Sequence, residues 1–326
     1  MNYYFTLGLL CVMLSCTDKQ NTTPKAELPT TKIGLGKRLF FDPMLSLDQS
    51  VSCASCHQPE FAYADNKAFS TGVNDSVGTR NTPSVMNMAS RPYFFHDGRA
   101  ASLEAQAIMP VENPVEMNLS FSKAIERIQH NELYTTLFKN IYNSAPNSSN
   151  ITNALAEFQR SLESDGSAPH DLWMNDIDTT AMTLSQQRGR AIFLSDEFKC
   201  FECHFGPDFT GDEFRNIGLY DGKTLTDMGR YNITKDSADI GKFKTPGLRN
   251  IALTAPYMHN GMFTTLEDVI DFYSNPYDVV QQPINIDSLM VEPLHFTDEQ
   301  KQDLINFLHA LTDQHIPHKV SEMNMP

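Results

Sequence analysis

Two short stretches stand out by residue type and spacing: Cys53-Ala54-Ser55-Cys56-His57 and Cys200-Phe201-Glu202-Cys203-His204. Each reads C-x-x-C-H, the attachment pattern of a c-type haem. The reason is geometric. Two thiols separated by two residues bond both vinyl groups of a haem, and the adjacent imidazole reaches the iron as proximal ligand. Two rival uses of paired cysteines fit less well. A zinc site built from four cysteines would take both pairs but has no need of a His after each. A thioredoxin-like dithiol needs an alternating strand–helix context, which the sequence lacks. The expected cofactors are two covalent c-type haems, with His57 and His204 as iron ligands.

The elements that position these motifs read as helices. Apolar spacing predicts helices over Thr31 to Phe41, Ser122 to Tyr142, Thr152 to Leu162, Leu184 to Phe193 and Thr297 to Leu311, the last opened by a Thr297/Gln300 capping box. Strand-period alternation is scarce. A chain of 326 residues suggests two domains, and 40% hydrophobic with 20% charged residues suits a packed core rather than disorder. Ser164 to Pro169 is a turn-rich break. A weak repeat places Gly34 before the first motif and Gly189 with Phe193 before the second. The expected fold class is all-α: two cytochrome-c-like helical domains, each with one covalent c-type haem, spanning residues 30–165 and 166–326. Lys+Arg minus Asp+Glu is 25 − 40 = −15, which argues against nucleic acid and suits a basic protein partner. Six cysteines are too few for a disulfide scaffold.

The amino terminus reads as a targeting segment. The apolar run Tyr3 to Ser15 is shorter than the roughly 20 residues of a membrane span and fits a secretory h-region. Met13-Leu14-Ser15-Cys16 resembles a bacterial lipobox, although no Lys or Arg precedes the run. A signal without lipidation and a buried core helix are the other readings of this run. The expectation is a signal or lipoprotein peptide over residues 1–16, a polar linker over 17–29, and a periplasmic protein anchored by lipid through Cys16.

Further stretches carry a family resemblance: Arg80-Asn81-Thr82-Pro83-Ser84, Phe95-His96-Asp97-Gly98-Arg99-Ala100, Gln106, Val115-Glu116-Met117, and Leu248 to Tyr257. With both haem motifs, the chain resembles the bacterial dihaem cytochrome c peroxidases and their MauG relatives over about Gly34 to Leu311. The resemblance implies that the haem on Cys53 and Cys56 reacts with peroxide, with Glu116 and Gln106 on its distal side. It implies that the haem on Cys200 and Cys203 supplies electrons. It places a calcium ion on Asn81 and the backbone of Thr254 and Pro256. Family members are often dimers, so a homodimer is expected.

Three positions depart from the family pattern. Val73 stands where the usual peroxidases carry a His that blocks the first iron until the second haem is reduced, so the site is expected to be open. Tyr273 stands where they carry a Met ligand. It shares a helix face with Leu266, Val269 and Ile270, so its hydroxyl is expected at the second iron, an anionic ligand that favours the oxidised metal. Met258 and Met262 are the alternative ligands. His96 replaces the Trp that relays electrons between the haems, and imidazole is much harder to oxidise. Arg249 is a candidate haem-propionate partner, and His259 a residue of the haem surroundings or the domain interface.

Glu116 in a low-dielectric pocket would take a proton from peroxide and return it to the leaving oxygen, while Gln106 orients the substrate. The leading reading is thus a peroxidase reducing H2O2 to water with electrons from a small c-type cytochrome or copper protein. The alternative is a MauG-like oxidase that modifies residues of a partner protein through a high-valent state. A plain electron carrier would leave Glu116 and Gln106 without a purpose.

Overall fold

The computed structural model describes residues 28–317. The predicted signal, most of the linker and Cys16 lie outside them. Among the described residues there are ten α-helices and one short ladder. Helices α1 (Lys32–Phe41), α2 (Leu103–Glu112), α3 (Phe121–Gln129), α4 (Glu132–Tyr142) and α5 (Ser148–Arg160) come first. Then follow α6 (Pro169–Met174), α7 (Leu184–Phe193), α8 (Tyr231–Thr234), α9 (Leu266–Ser274) and α10 (Asp298–His309). Strand β1 (Phe214–Arg215) pairs antiparallel with β2 (Phe243–Lys244). No described helix is long and apolar enough to cross a membrane.

Capping chemistry explains the boundaries. The Thr297 hydroxyl accepts the Gln300 N–H and the Gln300 side chain reaches back, so α10 starts with the expected capping box. The predicted single helix over Ser122 to Tyr142 is two. Asn131 breaks it, because its side chain accepts the N–H groups of Leu133 and Tyr134 and nucleates α4 afresh. Helix α2 is not among the predicted helices. Pro110 sits inside it and withholds the N–H that the Gln106 carbonyl would accept.

Two helix crossings build two cores. In the first, α1 lies against α5 so closely that a Cβ on Gly36 would fall 1.8 Å from the Ala154 carbonyl oxygen. In the second, α7 lies against α10, and a Cβ on Gly189 would fall 1.9 Å from the Asp303 carbonyl oxygen. The internal repeat therefore runs through Gly36 with Phe40 and Gly189 with Phe193; Gly34 belongs only to the helix start. Phe40 and Phe158 fill the first core, with Leu35, Leu39 and Leu155. Phe193 and Phe307 fill the second, with Leu304 and Leu308. From Pro29 on, the described residues belong to one compact unit. The last described residues return to the first core: Ile316 is buried in it, and the Tyr63 hydroxyl donates to the Pro317 carbonyl at 2.9 Å.

Candidate active site

Each C-x-x-C-H motif forms one 3-10 turn followed by its histidine. His57 Nδ1 lies 3.0 Å from the Tyr63 carbonyl, and His204 Nδ1 lies 3.0 Å from the Phe209 carbonyl. A carbonyl only accepts, so each Nδ1 carries the proton and each Nε2 keeps its lone pair for a metal. Burial lowers the pKa of both rings, which keeps them neutral. All four cysteines are free thiols. Burial pushes Cys53 and Cys200 up to about 12 and Cys56 to about 11. The two pairs pack against different cores, and no cluster of three or more His, Cys, Asp or Glu able to hold a metal occurs among the described residues. That arrangement removes the four-cysteine zinc reading and fits one haem per motif.

Glu116 follows α2, close enough to the first motif that its charge is felt at both Cys53 and Cys56. Asn113 caps the end of α2 and donates from Nδ2 to Glu116 Oε1 at 2.6 Å. Burial raises the Glu116 pKa, against the Asn113 bond and the positive charge of Arg99. Gln106 lies two helical turns before Asn113, on the same face. Its Oε1 is buried without a hydrogen-bond partner, a polar atom left for an incoming group. The loop carrying Val73 lies flush against this segment: the Val73 N–H donates to the Glu116 carbonyl at 2.8 Å, and a Cβ on Gly72 would fall 2.3 Å from the Val115 carbonyl oxygen. Val73 is 1% exposed and offers no ligating atom. Asn113 is not among the residues that sequence reasoning selects; its only signal is a capping-type residue three positions before the candidate base.

The second motif opens onto a cavity lined by Cys200, Cys203, His204, Tyr273, Met258 and Arg249 among others. Met262 does not line it. Tyr273 sits on α9, and its phenol pKa is raised by burial and by the nearby Cys203 and Cys200 thiols. No hydrogen bond to its hydroxyl is present among the described residues. Arg249 reaches the wall, but its guanidinium forks onto Asp171 at 2.6 and 3.0 Å and its Nε bonds Asp208 at 3.1 Å. Most of its donors are thus committed to protein carboxylates rather than free for a propionate.

Asn81, Thr254, Pro256, His96 and His259 also line this cavity. The Asn81 Nδ2 donates to the Lys67 carbonyl at 3.0 Å, which turns the amide oxygen the other way. His259 stacks on Phe243, ring centroids 3.8 Å apart and 14° between planes, and the Asn81 N–H donates to its carbonyl at 2.7 Å. Trp173 packs on the second core with the Arg190 guanidinium 5.6 Å from its ring centre.

Known proteins are similar to this chain in sequence and fold. The family model of the di-haem cytochrome c peroxidases matches residues 30–179. The methylamine utilization protein MauG of Methylorubrum extorquens is 39% identical over 88% of this chain and 80% of its own length. The cytochrome-c peroxidase IdrP1 of Pseudomonas sp. strain SCT is 35% identical over 91% of this chain and 88% of its own. A solved MauG-like protein associated with microbial copper homeostasis superposes with a TM-score of 0.77 at 30% identity, covering 87% of this chain and 89% of that one.

Proposed function

The chain belongs to the di-haem cytochrome c peroxidase family, and from that membership we propose how its residues divide the work. The protein is a peroxidase reducing H2O2 to water, and each turnover takes up two electrons and two protons. Haem held by Cys53, Cys56 and His57, and by Cys200, Cys203 and His204, would supply redox-active iron and the electrons for peroxide reduction. We assign peroxide to the first motif, residues 30–165, and electron entry to the second, residues 166–326.

The observation that carries this reading is Glu116: a carboxyl held by Asn113, near enough to Cys53 and Cys56 for its charge to be felt there, with the unpartnered Oε1 of Gln106 on the preceding helix. Ionised Glu116 takes the proton from the oxygen of H2O2 that approaches the metal and hands it to the departing oxygen, which leaves as water. Gln106 Oε1 accepts from the substrate hydroxyl and holds it in line. His57, fixed by its Nδ1–H bond to Tyr63, presents an electron-rich Nε2. Val73 in place of an imidazole leaves the distal side without an internal ligand, so no reduction is needed before peroxide enters. On the second side Tyr273, on the wall of the cavity that His204 also lines, would supply an oxygen ligand to a bound haem, with Met258 the alternative on the same wall. A calcium ion would be held by the amide oxygen of Asn81 and the carbonyls of Thr254 and Pro256.

The donor is a small basic redox protein, a c-type cytochrome or copper protein. Phe201 and Phe205, in and beside the second motif, are 44% and 38% exposed, whereas the first motif carries Ala54 and Gln58 there. Asp196, Glu197 and Glu202 lie within a few residues of Phe201 in the chain, exposed and without ion-pair partners among the described residues. The setting is the periplasm, with Cys16 as lipid anchor.

The test mixes fully oxidised holoprotein with H2O2 and a reduced c-type cytochrome. Immediate, sustained donor oxidation that Glu116→Gln abolishes supports the assignment. A long-lived oxidised spectrum with little turnover would favour oxidation of a partner protein, the reading that Tyr273 on the cavity wall and the similarity to MauG also suit. Activity only after pre-reduction would mean an internal ligand blocks the first iron.

A further inference from the structure

The loop that closes on the first motif carries a buried carboxylate. Asp65 is 2% exposed. Its Oδ1 accepts from the Gln58 side-chain amide at 3.0 Å, and its Oδ2 accepts from the Ser70 hydroxyl at 2.5 Å. The Thr82 hydroxyl lies 2.7 Å from that of Ser70. Gln58 follows His57 directly, and its N–H donates to the Ala64 carbonyl at 2.9 Å, so Asp65 is tied to the segment that carries the proximal imidazole. Both side chains that bond Asp65 are neutral, and it has no ion-pair partner among the described residues. Lys67, two positions on, is exposed, where water screens its charge. The charge of Asp65 is felt at both Cys56 and His57.

The second motif is built differently. Asp65 stands two residues past the carbonyl that accepts from His57; two residues past the carbonyl that accepts from His204 stands Gly211. The carboxylates on either side of that glycine are neutralised. Asp208 pairs with Arg91 at 2.6 Å and with Arg249 at 3.1 Å, and Asp212 pairs with Arg91 at 2.9 Å and with Lys244 at 3.5 Å. Negative charge in the proximal loop is thus uncompensated at one motif and compensated at the other. Charges interact several-fold more strongly in a buried site than in water, and burial and surrounding polar groups are among the levers by which a protein sets a haem's potential.

We propose that Asp65 tunes the first site: its uncompensated charge favours the oxidised form of a haem held by Cys53, Cys56 and His57, and leaves a haem on the second motif nearly untouched. The inference rests on the two-haem reading, and it gives the site assigned to peroxide a built-in tendency to surrender electrons. Asp65 also closes its loop through Gln58, so the test separates charge from shape.

Holoprotein carrying both haems, verified by mass, is titrated with a reductant and followed by absorption, with His57→Met used to identify the first-haem wave. Asp65→Asn keeps the outline of the side chain and removes its charge; Gln58→Leu keeps the charge and breaks the clasp. The first-haem midpoint should shift upward in Asp65→Asn with the second unchanged, and should not rise in Gln58→Leu. A first midpoint that stays or falls in Asp65→Asn, an equal shift of both haems, or the same rise in Gln58→Leu overturns the proposal. If Asp65→Asn does not hold its first haem, Ser70→Ala decides. Without the hydroxyl that spreads the carboxylate's charge, the first midpoint should fall, and an unchanged or raised value overturns the proposal. Failure of the peroxidase reading would look different, as holoprotein whose first midpoint responds to Asp65→Asn but which does not consume H2O2.

Discussion

Glu116 works only when ionised, and its surroundings pull against each other. Burial raises its pKa, while the Asn113 bond and the Arg99 charge lower it without fully compensating. Peroxide turnover should therefore fall as pH drops through a value above the ordinary carboxylate range, a limb visible in the pH profile of kcat/KM for H2O2. Asn113→Ala removes the bond that favours the charged form, so this limb should move to higher pH with haem content unchanged. Glu116→Gln removes acid–base transfer altogether and should cost about 10²–10⁴-fold in kcat/KM. Val73→His would return an imidazole to the distal loop; the oxidised enzyme should then lose immediate turnover and regain it on pre-reduction. His57 and His204 can be read from motif spacing because each follows a C-x-x-C pair, whereas Glu116 and Tyr273 come forward only through the family resemblance. Asn113 cannot be ranked without knowing that α2 ends there, and the hydrogen bonds that His96 makes to Asn81 and Lys244 join residues far apart in the chain.

The helices show the same division between local and distant causes. Leu184–Phe193 has the boundaries that its apolar spacing predicts, and Thr297 caps α10 through contacts within one turn. The break at Asn131 is hidden because hydrophobic spacing runs on through it, and α2 because Pro110 argues against any helix there. The crossings are legible only as a glycine rhythm, and that rhythm misplaces Gly36 by two positions because what selects it is the Ala154 carbonyl of α5. Replacing Gly by Ala in a helix gains roughly 1 kcal/mol of propensity. At Gly36 and Gly189 the new methyl meets backbone, which cannot swing aside, and overpacking costs about 1–3 kcal/mol or more. Gly36→Ala and Gly189→Ala should therefore both lower Tm, with Gly34→Ala as the milder control.

At the scale of the whole molecule, charge sets both tolerance and partners. Burial raises the Asp171 pKa, but hydrogen bonds from His170 and Arg249 and the Arg249 charge outweigh it and hold it well below the usual range. Asp227 is lowered against burial by the Arg80 bond and charge. A depressed folded-state pKa contributes stability above the ordinary carboxylate value and loses it as pH falls. Denaturant midpoints should thus decline on acidification below that value, and less steeply in Asp171→Asn. Toward the donor, a surface of net charge −15 should make KM for a basic cytochrome rise with salt. Neutralising Glu197 and Glu202 should flatten that dependence and leave KM for H2O2 unchanged. The return of residues 316 and 317 to the first core also bears on how firmly that core is held. With Ile316 buried in that core and Pro317 bonded to Tyr63, the packing of the first core is complete only when residues 316 and 317 are in place. A chain ending before Ile316 should therefore still acquire its first haem and then show a destabilised first core, read as early loss of that haem's spectrum on heating.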